Sequence, residues 1–125
     1  GIKIFQQIFE FAQQHNLMFR WGSKGFSLNV EIGSGFVGLF FGYPPSAVFK
    51  QSIYTGFENI TKKVNGGENL VNFYRTRLEG LGYFINAQSN LKWVIDKPYS
   101  NTEVDRFLEI VEDLVSKIRE QDLKS

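Results

Sequence analysis

Acid–base, metal and nucleophilic chemistry each need particular side chains at particular spacings, and these 125 residues offer few of them. His15 is the single histidine and cysteine is absent. A His-based metal site would therefore need further ligands from carboxylates or from a partner chain, and thiol catalysis, zinc fingers and iron–sulfur ligation are excluded. The place of His15 at the end of a predicted helix suits an imidazole facing the helix dipole. The serines and threonines lack a histidine or lysine base positioned to take their proton, which argues against nucleophilic hydrolysis. Glu31 and Asp96 are the acids on predicted strands, and Asp96-Lys97 has the outline of a nuclease's acid and lysine at a strand end. Two acids at separate strand ends read equally well as rim residues. No catalytic residue, no metal and no cofactor is assigned from these positions.

Binding chemistry is better represented. Gly22-Ser23-Lys24-Gly25 could bring backbone amides and the Lys24 charge to a phosphate. It precedes a strand rather than a helix, however, so it also reads as a plain turn. Arg77 falls near the stripe Leu70, Phe73 and Tyr74 of a predicted helix, where a guanidinium either meets an anion or carboxylate or lays its stem over apolar surface. Lys62 and Lys63 read as a solvated helix end. Phe36 and Phe40 are the strongest candidates for a contact surface. They alternate with Gly38 and Gly42, whose bare backbone a ligand or another element could approach.

Those two rings belong to a predicted β-hairpin running from Gly25 to Tyr43. A two-residue turn at Ser34-Gly35 pairs Ile32 with Val37, Val30 with Leu39, Leu28 with Phe41 and Phe26 with Tyr43, giving one apolar face. Ser27, Asn29 and Glu31 then share the reverse face with Phe36 and Phe40. Pro44-Pro45 ends the second strand. Before the hairpin, Phe5, Ile8, Phe9 and Ala12 form one stripe of an amphipathic helix that ends near Asn16. After it, Phe49, Ile53, Phe57, Ile60 and Val64 recur at helical spacing from Ser46 until Asn65-Gly66-Gly67. A third helix spans about 69–80 with Leu70, Tyr74, Leu78 and Leu81 inward, closed by Gly80 or Gly82. Residues 83–87 and 91–96 make a second hairpin around Gln88-Ser89-Asn90, in which Trp93 alternates inward with Leu91 and Ile95. Ser100 and Glu103 match a capping box for a final helix whose stripe is Val104, Phe107, Leu108, Val111, Val115 and Ile118.

The resulting order is α-β-β-α-α-β-β-α, a single α+β domain over 1–125 with a mainly antiparallel sheet of two hairpins and helices packed on it. The opening Gly1 in place of Met suggests a domain excised from a longer protein. Net charge is +1, yet 15–92 holds eight Lys or Arg against four acids, and 97–125 holds seven acids against five bases. That balance predicts at most weak nucleic-acid binding. No apolar run is long enough to span a bilayer and nothing resembles a signal peptide, so no membrane partner and a cytoplasmic location are expected.

Aromatics make up 16% of the chain, thirteen of them Phe, a surplus that favours a contact surface. The expected function is a non-catalytic binding or oligomerisation module, of bacterial type, using Phe36, Phe40, Arg77 and Lys24. Its expected partner is a second copy of the chain, as a homodimer, or other domains of a parent protein. The alternatives are a nucleic-acid-processing accessory domain acting through Lys24, Lys62, Lys63, Arg75 and Arg77, and a small-molecule binder with a pocket that includes Arg77.

Overall fold

Alternating apolar residues in the strands and helical stripes elsewhere bring the chain into two layers. The computed structural model describes residues 2–23, 25–43 and 51–124. Lys24, the Pro44-Pro45 strand stop and the Ser46 to Phe49 start of the predicted helix lie outside the described residues. The elements are α1 Ile2–Gln14, β1 Met18–Trp21, β2 Phe26–Ile32, β3 Gly35–Tyr43, β4 Ser52–Thr55, α2 Phe57–Lys63, α3 Gly67–Glu79, β5 Ile85–Ala87, β6 Asn90–Val94 and α4 Asn101–Lys124. The fold is α+β, and the six described strands form one antiparallel sheet in the order β1-β2-β3-β4-β6-β5.

Two strands go beyond the sequence expectation. β1 is only four residues long and largely exposed, so it carries too little alternation to stand out. β4 takes up residues 52–55 of the helix expected from residue 46. Ile53, Phe57, Ile60 and Val64 are all buried as anticipated, but Gly56 separates a strand from a short helix. Spacing of three and four is met here by two elements in succession.

The first hairpin also departs from its expected register. The turn is Gly33-Ser34, with Ile32 opposite Gly35 and Val30 opposite Val37. That is a slip of two residues, which preserves facing. A bulge between Leu28 and Asn29 then sets Asn29 opposite Gly38 but Leu28 opposite Phe40. The extra residue, Leu39, reverses facing for everything after it. Phe40 therefore turns into the core and Phe41 turns out.

Helices and one sheet face share a single core. Ile4, Ile8 and Phe11 of α1, Leu70, Tyr74 and Leu78 of α3, and Val104, Phe107, Val111 and Ile118 of α4 pack with Phe26, Leu28, Val37, Phe40, Ile53, Leu91 and Trp93. Trp93 is 0% exposed, as its alternation requires, and is ringed by Tyr83, Tyr99 and Phe107 at 4.8, 4.9 and 5.7 Å. The stripe of α1 is rotated from expectation, so that Ile4, Ile8 and Phe11 face inward while Phe9 is 44% exposed.

Side chains complete what the strands leave open. β4 pairs with β3 only from Phe40 onward, so the earlier part of that β3 edge turns to the helices. The Phe36 carbonyl accepts from Lys63 Nζ at 3.0 Å, the Gly38 N–H donates to Asn59 Oδ1 at 2.9 Å, and the Leu39 carbonyl accepts from the Tyr74 hydroxyl at 3.2 Å. At the far end of α4, both Asp122 carboxylate oxygens accept from the Gly33 N–H, and Arg119 donates to the His15 carbonyl at 2.8 Å. The long helix thus fastens the β2–β3 turn and the link from α1 to β1.

Candidate binding surface

Antiparallel pairing lines up side chains across the sheet, and the face away from the helices carries one continuous row. Arg20, Ser27, Phe41, Tyr54, Lys92 and Ile85 follow one another across all six strands. Phe36, Phe41, Tyr43 and Tyr54 are half-buried on this face, and none of them joins the helix-packed core. Tyr43 and Tyr54 meet edge to face at 5.4 Å, and the Arg20 guanidinium lies 5.4 Å from the centre of the Phe36 ring. Asn29, buried on the same face, is satisfied through the Ser27 hydroxyl at 2.9 Å.

At the β1 end this face meets a second group of rings. Phe19 stacks on Phe26 at 4.4 Å, with Trp21 5.3 Å from Phe19 and Phe9 of α1 5.7 Å from it. Trp21 is 71% exposed, and Met18 stands out on the other side of β1. A shallow hollow of about 410 Å³ opens here, lined by Arg20, Trp21, Ser27, Phe41 and Tyr43 among others. Large rings beside a cation and polar groups, left in water by the protein's own packing, are the composition of a contact surface.

The residues proposed from sequence are scattered by the fold. Phe36 is on the helix-free face beside Glu31, as expected. Phe40 is not a surface ring. It is 0% exposed and packs on Phe107 at 5.1 Å, because the bulge reverses its facing. Gly38 and Gly42 are not open backbone either. A Cβ at Gly42 would run into the Phe26 ring and one at Gly38 would crowd Phe41, so the protein's own aromatics fill those spaces. Arg77 ties α3 to α4 through Asp113 at 3.1 Å, its guanidinium 5.4 Å from the Phe73 ring, while Lys24 lies outside the described residues.

The other basic side chains answer to separate neighbours. Lys62 pairs with Glu58 at 2.7 Å, Lys63 with the Phe36 carbonyl, and Arg75 with the Ser89 carbonyl at 2.9 Å while its guanidinium covers the Phe57 ring. The Glu58–Lys62 pair, being mutually hydrogen-bonded, lowers the carboxyl's pKa and raises the ammonium's. His15 rests on Phe11 at 4.4 Å. Glu31 is near the turn end of β2, and Asp96 lies two residues past the end of β6, three places away in the sheet order. Among the described residues no group of three His, Asp or Glu side chains could hold a metal ion, and no helix is long and apolar enough to cross a membrane.

Trp21, Met18 and Arg20 were not singled out by sequence reasoning, and Phe9 was placed on the apolar stripe of the first helix although it is 44% exposed. The alternation Phe19-Arg20-Trp21 before Gly22 is the trace the strand residues leave in the sequence, and it spans too few residues to separate a strand from a turn. Comparison of the chain with family models, curated proteins and solved structures finds no match in any of the three.

Proposed function

We propose that the chain is a non-catalytic protein-binding module whose contact surface is the β1 end of the sheet, where the helix-free face meets the exposed rings of Phe9 and Trp21 and the half-buried ring of Phe19. The observation that carries this reading is Trp21 itself, 71% exposed beside Arg20 at the mouth of a hollow. Tryptophan and arginine are the residues on which binding energy most often concentrates. Leaving so large an apolar surface in water forgoes about 2 kcal/mol of burial.

The test is selection of displayed random peptides on the folded protein, with a counter-screen against Trp21→Ala. Ligands that lose at least tenfold in affinity with Trp21→Ala, while circular dichroism is unchanged, are the expected result. A selection yielding no Trp21-dependent ligand refutes the reading.

A second reading draws on the cross-strand row, in which Phe41 and Tyr54 stand between Arg20 and Lys92. Two rings between two cations can stack the bases of a single strand and hold its phosphates. The small net charge and the separate engagements of Lys62, Lys63, Arg75 and Arg77 favour protein over nucleic acid. A second copy of the chain as the partner loses part of its basis once Phe40 is buried. Sedimentation of the wild type and of Trp21→Ala decides whether self-association uses the β1 end.

A further inference from the structure

The backbone of β1 narrows the kind of partner that the proposed surface fits, a step that rests on the β1 end being a protein-binding site. The Gly22 N–H donates to the Gly25 carbonyl, so these two residues form a hydrogen-bonded pair in the β1–β2 ladder. Hydrogen-bonded and non-hydrogen-bonded pairs alternate in an antiparallel ladder. With Trp21 opposite Phe26 and Arg20 opposite Ser27, the bonded pairs are Arg20 with Ser27 and Met18 with Asn29. The N–H and C=O groups of Phe19 and Trp21 therefore point away from β2. β1 is the first strand in the sheet order, and no described strand pairs with that outer edge.

Such an edge binds an extended chain, the backbone giving affinity and the alternate side chains giving specificity. The residues of an added strand opposite Phe19 and Trp21 would lie on the shelf made by those rings and Phe9. The residue between them would stand opposite Arg20 on the other face. Arg20 touches the Phe36 ring and has no carboxylate partner among the described residues.

A second copy of β1 meets this edge poorly. In the antiparallel register centred on Arg20, the two arginines would face each other in a close pair, a like-charge contact that destabilises pairing. The register centred on Phe19 would call on the Leu17 N–H, which already donates to the Ala12 carbonyl at 2.9 Å. Centring on Trp21 runs the strand into the loop at Gly22. A foreign strand with an acid opposite Arg20 meets none of these obstacles.

We infer that β1 takes up an extended segment of another protein in which two apolar residues flank an acidic one, adding it to the sheet as a further strand beside Phe19-Arg20-Trp21.

The experiment uses a blocked synthetic peptide with valine–glutamate–valine at its centre and soluble threonine flanks, titrated into ¹⁵N-labelled protein. The largest amide shifts are expected at Phe19 and Trp21. N-methylation of the two valines, whose amides would face β1, should abolish binding, and N-methylation of the glutamate should leave it intact. Arg20→Glu is expected to weaken binding about tenfold, with recovery when the peptide's glutamate becomes lysine.

Absence of binding, or binding indifferent to valine N-methylation, overturns strand addition. Trp21-dependent ligands from the display selection would then still support the module itself, so the two failures are distinguishable. A concentration-dependent dimer whose interface maps to Phe19 and Trp21 would overturn the foreign segment in favour of a second copy.

Discussion

Trp93 sits at the centre of the core with its indole N–H buried and without a hydrogen-bond partner among the described residues. Two substitutions there should behave very differently. Trp93→Ala empties the middle of an aromatic cluster and should cost about 3–5 kcal/mol in urea denaturation. Trp93→Phe keeps most of the ring and discards a polar group that burial penalises by about 1–3 kcal/mol, so its loss should be clearly smaller. Equal losses from the two would mean that the N–H is satisfied in solution. Phe40 invites a similar comparison. Placed on the core face against Phe107 and Phe26, it cannot report on association, and Phe40→Glu should unfold the protein by burying an unpaired charge. A folded Phe40→Glu with altered sedimentation would contradict the bulge. Alternation predicted the burial of Trp93 correctly because its strand is regular. It misplaced Phe40 because a single inserted residue, invisible to any count of apolar periods, lies between Phe36 and Phe40.

Elements were legible in the sequence where a pattern ran long enough to outweigh accident. The stripe of α4 repeats over the length of a long helix, and its start was marked by a motif. The Glu103 N–H donates to the Ser100 hydroxyl at 3.1 Å, and the Ser100 N–H donates to the Glu103 carboxylate at 2.9 Å. That second bond is the main cause holding the Glu103 carboxyl below its ordinary pKa. A carboxyl with a depressed folded pKa contributes stability above the ordinary carboxylate range and loses it as pH falls. The amides at the start of α4 should therefore be less protected, relative to their intrinsic exchange rates, below about pH 4 than at pH 7, and Ser100→Ala should remove about 1 kcal/mol. Protection unchanged on acidification would show the capping box to be idle. β1 and β4 were not legible, each having only four residues. Their identity as strands is fixed by neighbours across the sheet rather than by their own composition. The candidate surface suffered most from this, since its exposed tryptophan belongs to one of those two strands and Phe9 only became exposed through a modest rotation of α1.

Across the whole molecule, two buried or half-buried tyrosines set an alkaline limit. Desolvation raises the pKa of both Tyr74, whose hydroxyl bonds the Leu39 carbonyl, and Tyr83, whose hydroxyl bonds the Glu103 carbonyl at 2.6 Å. An acid whose folded pKa exceeds its unfolded value near 10 leaves stability intact below that pH and erodes it above, because only the unfolded chain can then ionise. Stability should fall on passing from pH 9 to pH 11, and less steeply in Tyr74→Phe, which at neutral pH should itself lose about 1 kcal/mol by leaving a carbonyl bare. Identical slopes for the two proteins would place Tyr74 in contact with water. The charge distribution makes its own prediction at this scale. Binding to single-stranded oligonucleotides should be weaker than micromolar at physiological salt and should fall steeply as salt rises. Sub-micromolar, salt-tolerant binding would promote the row of Phe41 and Tyr54 over the β1 edge.

The fastenings at the far end of α4 bear on the order of events when the chain folds. Asp122 closes on Gly33 and Arg119 on His15, across 89 and 104 residues of sequence. Contacts so distant are expensive to form early, since the loop entropy must be spent before they return anything. The first helix and hairpin can form locally but remain unfastened until residues 119 and 122 arrive. During synthesis on a ribosome, the edge of β1 and its rings would be exposed to the cell's chaperones for most of that interval.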